Sequence, residues 1–215
     1  MLTLQDQLVT EEICPKRLGA KERLSIFSSK RNEFLEDTEF LNCEFHASYL
    51  TTHGKPHHRS HARRVRLQNC RMTTFAGEGA IFDEVIVENL VTVRHPAFFF
   101  ACAFRHVKLR GKCGRFLFRP HLIDDDEGRN AAFIEANSNF YQHIDWALDI
   151  TELQSSCLEL QASVPVRLIR RNPEQQFIMN RDVALGDEWR NYEPLTHFSW
   201  AYTGFVNLRN QPNCS

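Results

Sequence analysis

The stretch Thr38-Glu39-Phe40-Leu41-Asn42-Cys43-Glu44-Phe45-His46-Ala47 repeats every five residues. Glu33-Phe34-Leu35-Glu36-Asp37 precedes it and Ser48-Tyr49-Leu50-Thr51-Thr52 follows it, so the third position reads Leu, Phe, Phe, Leu. Neither the period of two expected of a strand nor the 3.6 of a helix fits. Two inward residues separated by one outward residue make a short extended run, and the two outward residues after them turn the chain.

The same spacing returns in three further blocks. One runs from Val65-Arg66-Leu67-Gln68-Asn69 through Val85-Ile86-Val87 to Leu90-Val91-Thr92, a second from Ala97-Phe98-Phe99 to Lys112-Cys113-Gly114, and a fainter one from Leu148-Asp149-Ile150 to Ser163-Val164-Pro165. A longer repeat is also visible: Val65-Arg66-Leu67-Gln68-Asn69 matches Val85-Ile86-Val87-Glu88-Asn89, and Ile81-Phe82 matches Ala103-Phe104. Four pentads closing one square coil would produce it.

The pattern resembles the pentapeptide-repeat proteins, carried best by residues 38 to 47, clearly by 33–52 and 65–116, and weakly by 148–167. The resemblance implies an all-β fold, a right-handed β-helix with Phe or Leu stacked along its axis. Gly77, Thr92, Gly114, Ser155 and Pro165 in central slots shorten the expected solenoid to about three to four coils. Residues 1–32 are expected to form a helical N-terminal cap and 33–167 the solenoid, with insertions at 51–64 and 119–145. A short helix is expected around Ala131 to Asn137, and 168–215 form a C-terminal cap. The composition fits: 17 Phe against 4 Tyr and 3 Trp supply aromatic bulk that needs no hydrogen-bond partner when buried. Phe40, Phe45, Phe82, Phe99 and Phe104 take central slots, and Phe75 a first slot.

Bulk properties narrow the function. The 26 basic and 27 acidic residues leave a net charge of −1, which argues against nucleic acid as a partner. The longest apolar run, residues 97–104, falls short of the roughly 18 needed for a membrane span. The N-terminus has neither a basic head nor an apolar run, so a cytoplasmic location is expected. Seven cysteines without a CxxC pair read as reduced structural thiols, with Cys43, Cys70 and Cys102 in inward first positions.

No catalytic motif is present, and no cofactor or metal is expected. The basic loop His53-Gly54-Lys55-Pro56-His57-His58-Arg59-Ser60-His61, with Arg63 and Arg64 after it, is the first candidate for binding. It reads foremost as a solvated loop, then as a contact for an anionic partner, and last as a metal site. Asp124-Asp125-Asp126-Glu127-Gly128 reads as a solvated turn, since contiguous acids cannot all face one ion. The second candidate is an outward apolar stripe of Ile86, Val91, Val93, Phe98 and Phe100, to be covered by the chain itself, by a second copy in a homodimer, or by another protein.

The leading expectation is a non-enzymatic interaction or scaffold protein with a protein partner. The family resemblance adds a mimic of duplex DNA that binds type II topoisomerases, against which the near-neutral charge weighs. A β-helix hydrolase or lyase acting on polysaccharide is the enzymatic alternative. Arg105, Arg110 and Arg115, in successive outward fourth positions, would lie on different faces rather than in one row, which weakens it.

Overall fold

The computed structural model describes residues 16–18, 23–24, 34–52, 54–124, 127–174 and 176. The chain divides into two compact units, Met1–Asn172 and Pro173–Ser215, and the first contains every element described below. The strands are β1 (Lys16–Leu18), β2 (Arg23–Leu24), β3 (Phe34–Leu41), β4 (Glu44–Phe45), β5 (Ser48–Thr51) and β6 (His61–Gln68). There follow β7 (Arg71–Met72), β8 (Phe75–Glu78), β9 (Ile81–Asp83), β10 (Ile86–Glu88), β11 (Val91–Thr92), β12 (Ala97–Phe100), β13 (Ala103–Arg105) and β14 (Val107–Arg119). Helix α1 (Glu127–Tyr141) precedes β15 (Leu148–Asp149), β16 (Leu153–Leu160) and β17 (Ile169–Arg170).

Thirteen strands belong to one sheet, with the path β1-β3-β6-β10-β14-β12-β8-β5, and four to a second, β11-β7-β4-β2. Each strand pairing among the described residues is parallel; Val65 lies beside Thr38, Val87 beside Leu67, and Leu109 beside Val87.

The expected all-β, right-handed β-helix of three to four coils is corrected by this topology. β14 runs unbroken for 13 residues through the corner expected near Gly111. It pairs with β10 and β15 in its first part and with β12 and β16 further on, merging strands expected on separate coil faces into one sheet. The fold is also not all-β: α1 buries Asn130, Phe133, Asn137 and Tyr141, a single stripe at helical spacing. That helix extends well beyond the Ala131–Asn137 segment expected. Within the expected N-terminal helical cap, the described residues 16–18 and 23–24 are strand. Of the expected C-terminal cap, Ile169–Arg170 pairs with β15, and 177–215 lie outside the described residues.

The five-residue spacing does have a backbone counterpart. Positive φ recurs at Asp37, Asn42 and Ala47, at Arg64 and Asn69, at Glu84 and Asn89, and at Ala101, His106 and Gly111. A left-handed residue follows several of the short extended runs, and Asn and Asp tolerate that conformation better than other side chains with a Cβ.

The core is aromatic. Phe82 stacks on Phe104 at 5.5 Å and Phe99 on Phe118 at 4.7 Å, and the two stacks meet edge to face, with 5.3 Å between Phe82 and Phe99. Phe40 meets Phe45 edge to face at 5.1 Å. A narrow apolar cavity of about 80 Å³ runs among these rings, with Leu109 in its wall. Each fully buried Phe contributes about 1.5–3 kcal/mol.

Candidate functional site

The parallel registers bring outward charges into rows across the strands. One row reads Glu36, Arg63, Asp83, Arg105 along β3, β6, β9 and β13. Arg105 Nε donates to Asp83 Oδ1 at 2.6 Å, and Nη2 donates to the other oxygen. Arg63 Nε lies 3.5 Å from the same carboxylate. At the adjacent corner Arg64 donates to Asp37 Oδ2 at 2.7 Å and lies 3.7 Å from Glu36. Glu88 accepts from Arg110 at 2.9 Å and from Arg66 at 3.4 Å, and Arg66 also lies 3.8 Å from Glu39. Hydrogen bonds from Arg64 and Arg110 hold Asp37 and Glu88 below the ordinary carboxylate range. Opposite charges on neighbouring strands are the sheet's form of side-chain pairing.

A further row runs Arg66, Ile86, Lys108, Asp149, Arg170, and here the pairing changes. Asp149 accepts from Thr151, at 3.1 Å from N and 2.7 Å from Oγ1. Lys108 and Arg170 instead lean on the ring of Trp146, with Nζ at 5.9 Å and the guanidinium carbon at 4.4 Å from its centroid. His106 lies against the same indole at 4.7 Å, and its Nε2 is 2.6 Å from Asp145. The hydrogen bond with His106 holds Asp145 below its usual range. Glu84, Ile86, His106, Lys108 and Trp146 line an open cleft of about 220 Å³. An amphipathic aromatic flanked by cations, beside both a carboxylate and an aliphatic side chain, can hold a ligand that has a charged and an apolar part.

The basic loop is scattered rather than gathered. His53 lies outside the described residues. His57 and His58 sit on a 3-10 turn, rings 4.1 Å apart, while His61 stacks on Phe34 at 5.1 Å and burial lowers its pKa. Arg59 is buried beneath α1, and Arg63 and Arg64 are taken up by the ion pairs above. Among the described residues no cluster of three or more His, Cys, Asp or Glu side chains could hold a metal ion.

The apolar stripe is likewise dispersed. Ile86 lies in the Trp146 cleft, Val91 and Val93 are exposed, and Phe98 and Phe100 stack on each other at 5.7 Å and are half-buried on β12. Cys43, Cys70 and Cys102 are buried, as is Cys113. Among the described residues no helix is long and apolar enough to cross a membrane.

Sequence reasoning missed Trp146. Its available signal was position: a Trp directly ahead of the inward pair Ala147-Leu148, where the fourth block of pentads begins. No family model, curated protein or solved structure matches this chain.

Proposed function

We propose that this is a non-enzymatic interaction protein of the cytoplasm that engages a protein partner around Trp146. The observation that carries the reading is the contrast within one face. Arg63, Arg64, Arg66, Arg105 and Arg110 each have a carboxylate, whereas Lys108 and Arg170 pack on an aromatic ring beside an open cleft. Trp and Arg dominate the few residues that carry most of the energy in protein interfaces. A partner segment with a carboxylate next to an apolar side chain suits Lys108 and Arg170 on one hand and Trp146 and Ile86 on the other.

The alternation of charge supports this reading over the two alternatives. A mimic of duplex DNA needs unbroken acidic rows, and here acids alternate with bases. Asp83 and Glu88 are hydrogen-bonded to arginines, which favours a structural role over acid–base work on sugars.

The test is quantitative affinity capture from the native organism with the wild-type chain, Trp146→Ala and Lys108→Glu. Partners that depend on this face are lost with both variants and retained by a chain lacking residues 54–58. An unchanged partner list in both variants ends the reading.

A further inference from the structure

Arg59 is a buried cation whose pairing is incomplete. It is only 5% exposed and lies under α1, with its guanidinium carbon 5.0 Å from the centre of the Phe133 ring. Nη1 donates to Asn137 Oδ1 at 2.7 Å, and Asn137 Nδ2 donates to the carbonyl of Ala101 at 3.1 Å. The other two nitrogens, Nε and Nη2, have no acceptor among the described residues. The ionisable groups that act on Arg59 are the Cys102 thiol and the Tyr141 phenol. Burial keeps both neutral, pushing the Cys102 thiol up to about 12 and the Tyr141 phenol up as well, so neither supplies a counter-charge.

A guanidinium taken out of water without an anion is costly, and idle N–H groups add to that cost. The idle pair is also a particular one. Nε and Nη2 form the side-on edge of the guanidinium, two parallel donors whose spacing matches two oxygens of one phosphate or carboxylate. Asn137 fixes the opposite nitrogen and Phe133 fixes the plane, so the edge is oriented before any ligand arrives.

We propose that the Nε–Nη2 edge of Arg59, held by Asn137 and Phe133 beneath α1, binds a phosphate oxyanion. Uptake requires α1 to move away from the sheet, because both nitrogens are closed off from solvent in this conformation. A free phosphate and a phosphoryl group on a larger molecule share this chemistry and differ in the room they need.

The experiment is thermal unfolding of the full chain in chloride buffer, with inorganic phosphate, phenyl phosphate or acetate added at matched ionic strength. Wild type, Arg59→Lys and Arg59→Met are compared. A ligand held only by the folded state raises Tm with its concentration. Inorganic phosphate is expected to raise the wild-type Tm, to act about tenfold more weakly on Arg59→Lys, which keeps the charge and loses the fork, and to leave Arg59→Met unmoved. An equal effect of phenyl phosphate assigns the site to phosphoryl groups on larger molecules, and its failure beside inorganic phosphate assigns it to the free ion. The proposal is overturned if phosphate leaves the wild-type Tm unchanged, if acetate matches it, or if phosphate shifts Arg59→Lys as far as wild type. The last comparison stands even where Arg59→Met fails to fold.

Discussion

Asp83 and Arg105 stand directly opposite each other on β9 and β13, and the guanidinium grips with two nitrogens a carboxylate that is only 4% exposed. Removing one side of such a pair leaves the other charge without compensation. Asp83→Ala strands both Arg105 and Arg63 and is expected to cost about 1–3 kcal/mol, discounted because both arginines keep partial access to water. Asp37→Ala, which breaks an exposed pair with Arg64, is expected to cost less. Urea denaturation midpoints of the two variants check the ranking, and equal losses would contradict it.

Acid should weaken the fold in two stages. His61 has a lowered pKa through burial, so the unfolded chain takes up its proton first, and stability declines as pH falls below about 6.5. Asp37, Glu88 and Asp145 have depressed pKa values, so their contribution is complete above the unfolded value near 4 and is lost as pH falls through the folded values. Tm measured from pH 8 to pH 3 is expected to show a shallow decline and then a steeper one. His61→Gln should remove the first stage only.

Gly114 and Ala47 are expected to respond in opposite directions. A Cβ on Gly114 would lie 2.6 Å from the backbone nitrogen of Thr92 and collide with its hydroxyl, so Gly114→Ala is expected to destabilise by about 1–3 kcal/mol. Thr92→Ala cannot rescue it, since the nitrogen remains. Ala47 has φ +45, and Ala47→Gly relieves left-handed strain by up to about 1 kcal/mol. Thermal melts of the single and double variants decide both points.

Thiol reactivity should follow burial. Cys43, Cys70, Cys102 and Cys113 are buried, and burial raises the thiol pKa of Cys70, Cys102 and Cys113. Under native conditions at pH 8 these four are expected to resist an alkylating reagent, with Cys157, only half-buried, reacting before them. Peptide mapping by mass spectrometry reads the order, and early labelling of Cys102 would contradict it.

Truncating the aromatic core tests its stacking. Phe104 touches Phe82, Phe99 and Phe118 at 5.5, 5.6 and 5.1 Å, so Phe104→Ala is expected to cost about 3–5 kcal/mol in equilibrium unfolding.

The text revealed what is local. Phe40, Phe45, Phe82 and Phe104, placed inward by their slots, are buried, and left-handed residues fall five apart within the groups 37, 42 and 47, 64 and 69, 84 and 89, and 101, 106 and 111. It concealed what depends on partners far along the chain. Arg105 and Arg110 occupy their outward positions, but Asp83 and Glu88, 22 residues away, determine what they do there. Helix α1 was visible only in its middle because its buried stripe is half polar: Asn130 and Asn137 share it with Phe133 and Tyr141. Nor does a five-residue pattern tell a corner that interrupts hydrogen bonding from one through which a strand such as β14 continues.

Cancellation of charge across the rows bears on how the proposed partner would find this protein. Each outward carboxylate of the Asp37, Asp83 and Glu88 groups has its cation within 4 Å, well inside the Debye length of about 8 Å at physiological salt. These paired rows therefore project little field into solution, and an encounter on them would proceed at the unsteered rate of about 10⁵–10⁶ M⁻¹s⁻¹ with little response to ionic strength. Discrimination between candidate partners would then lie in how long each one stays.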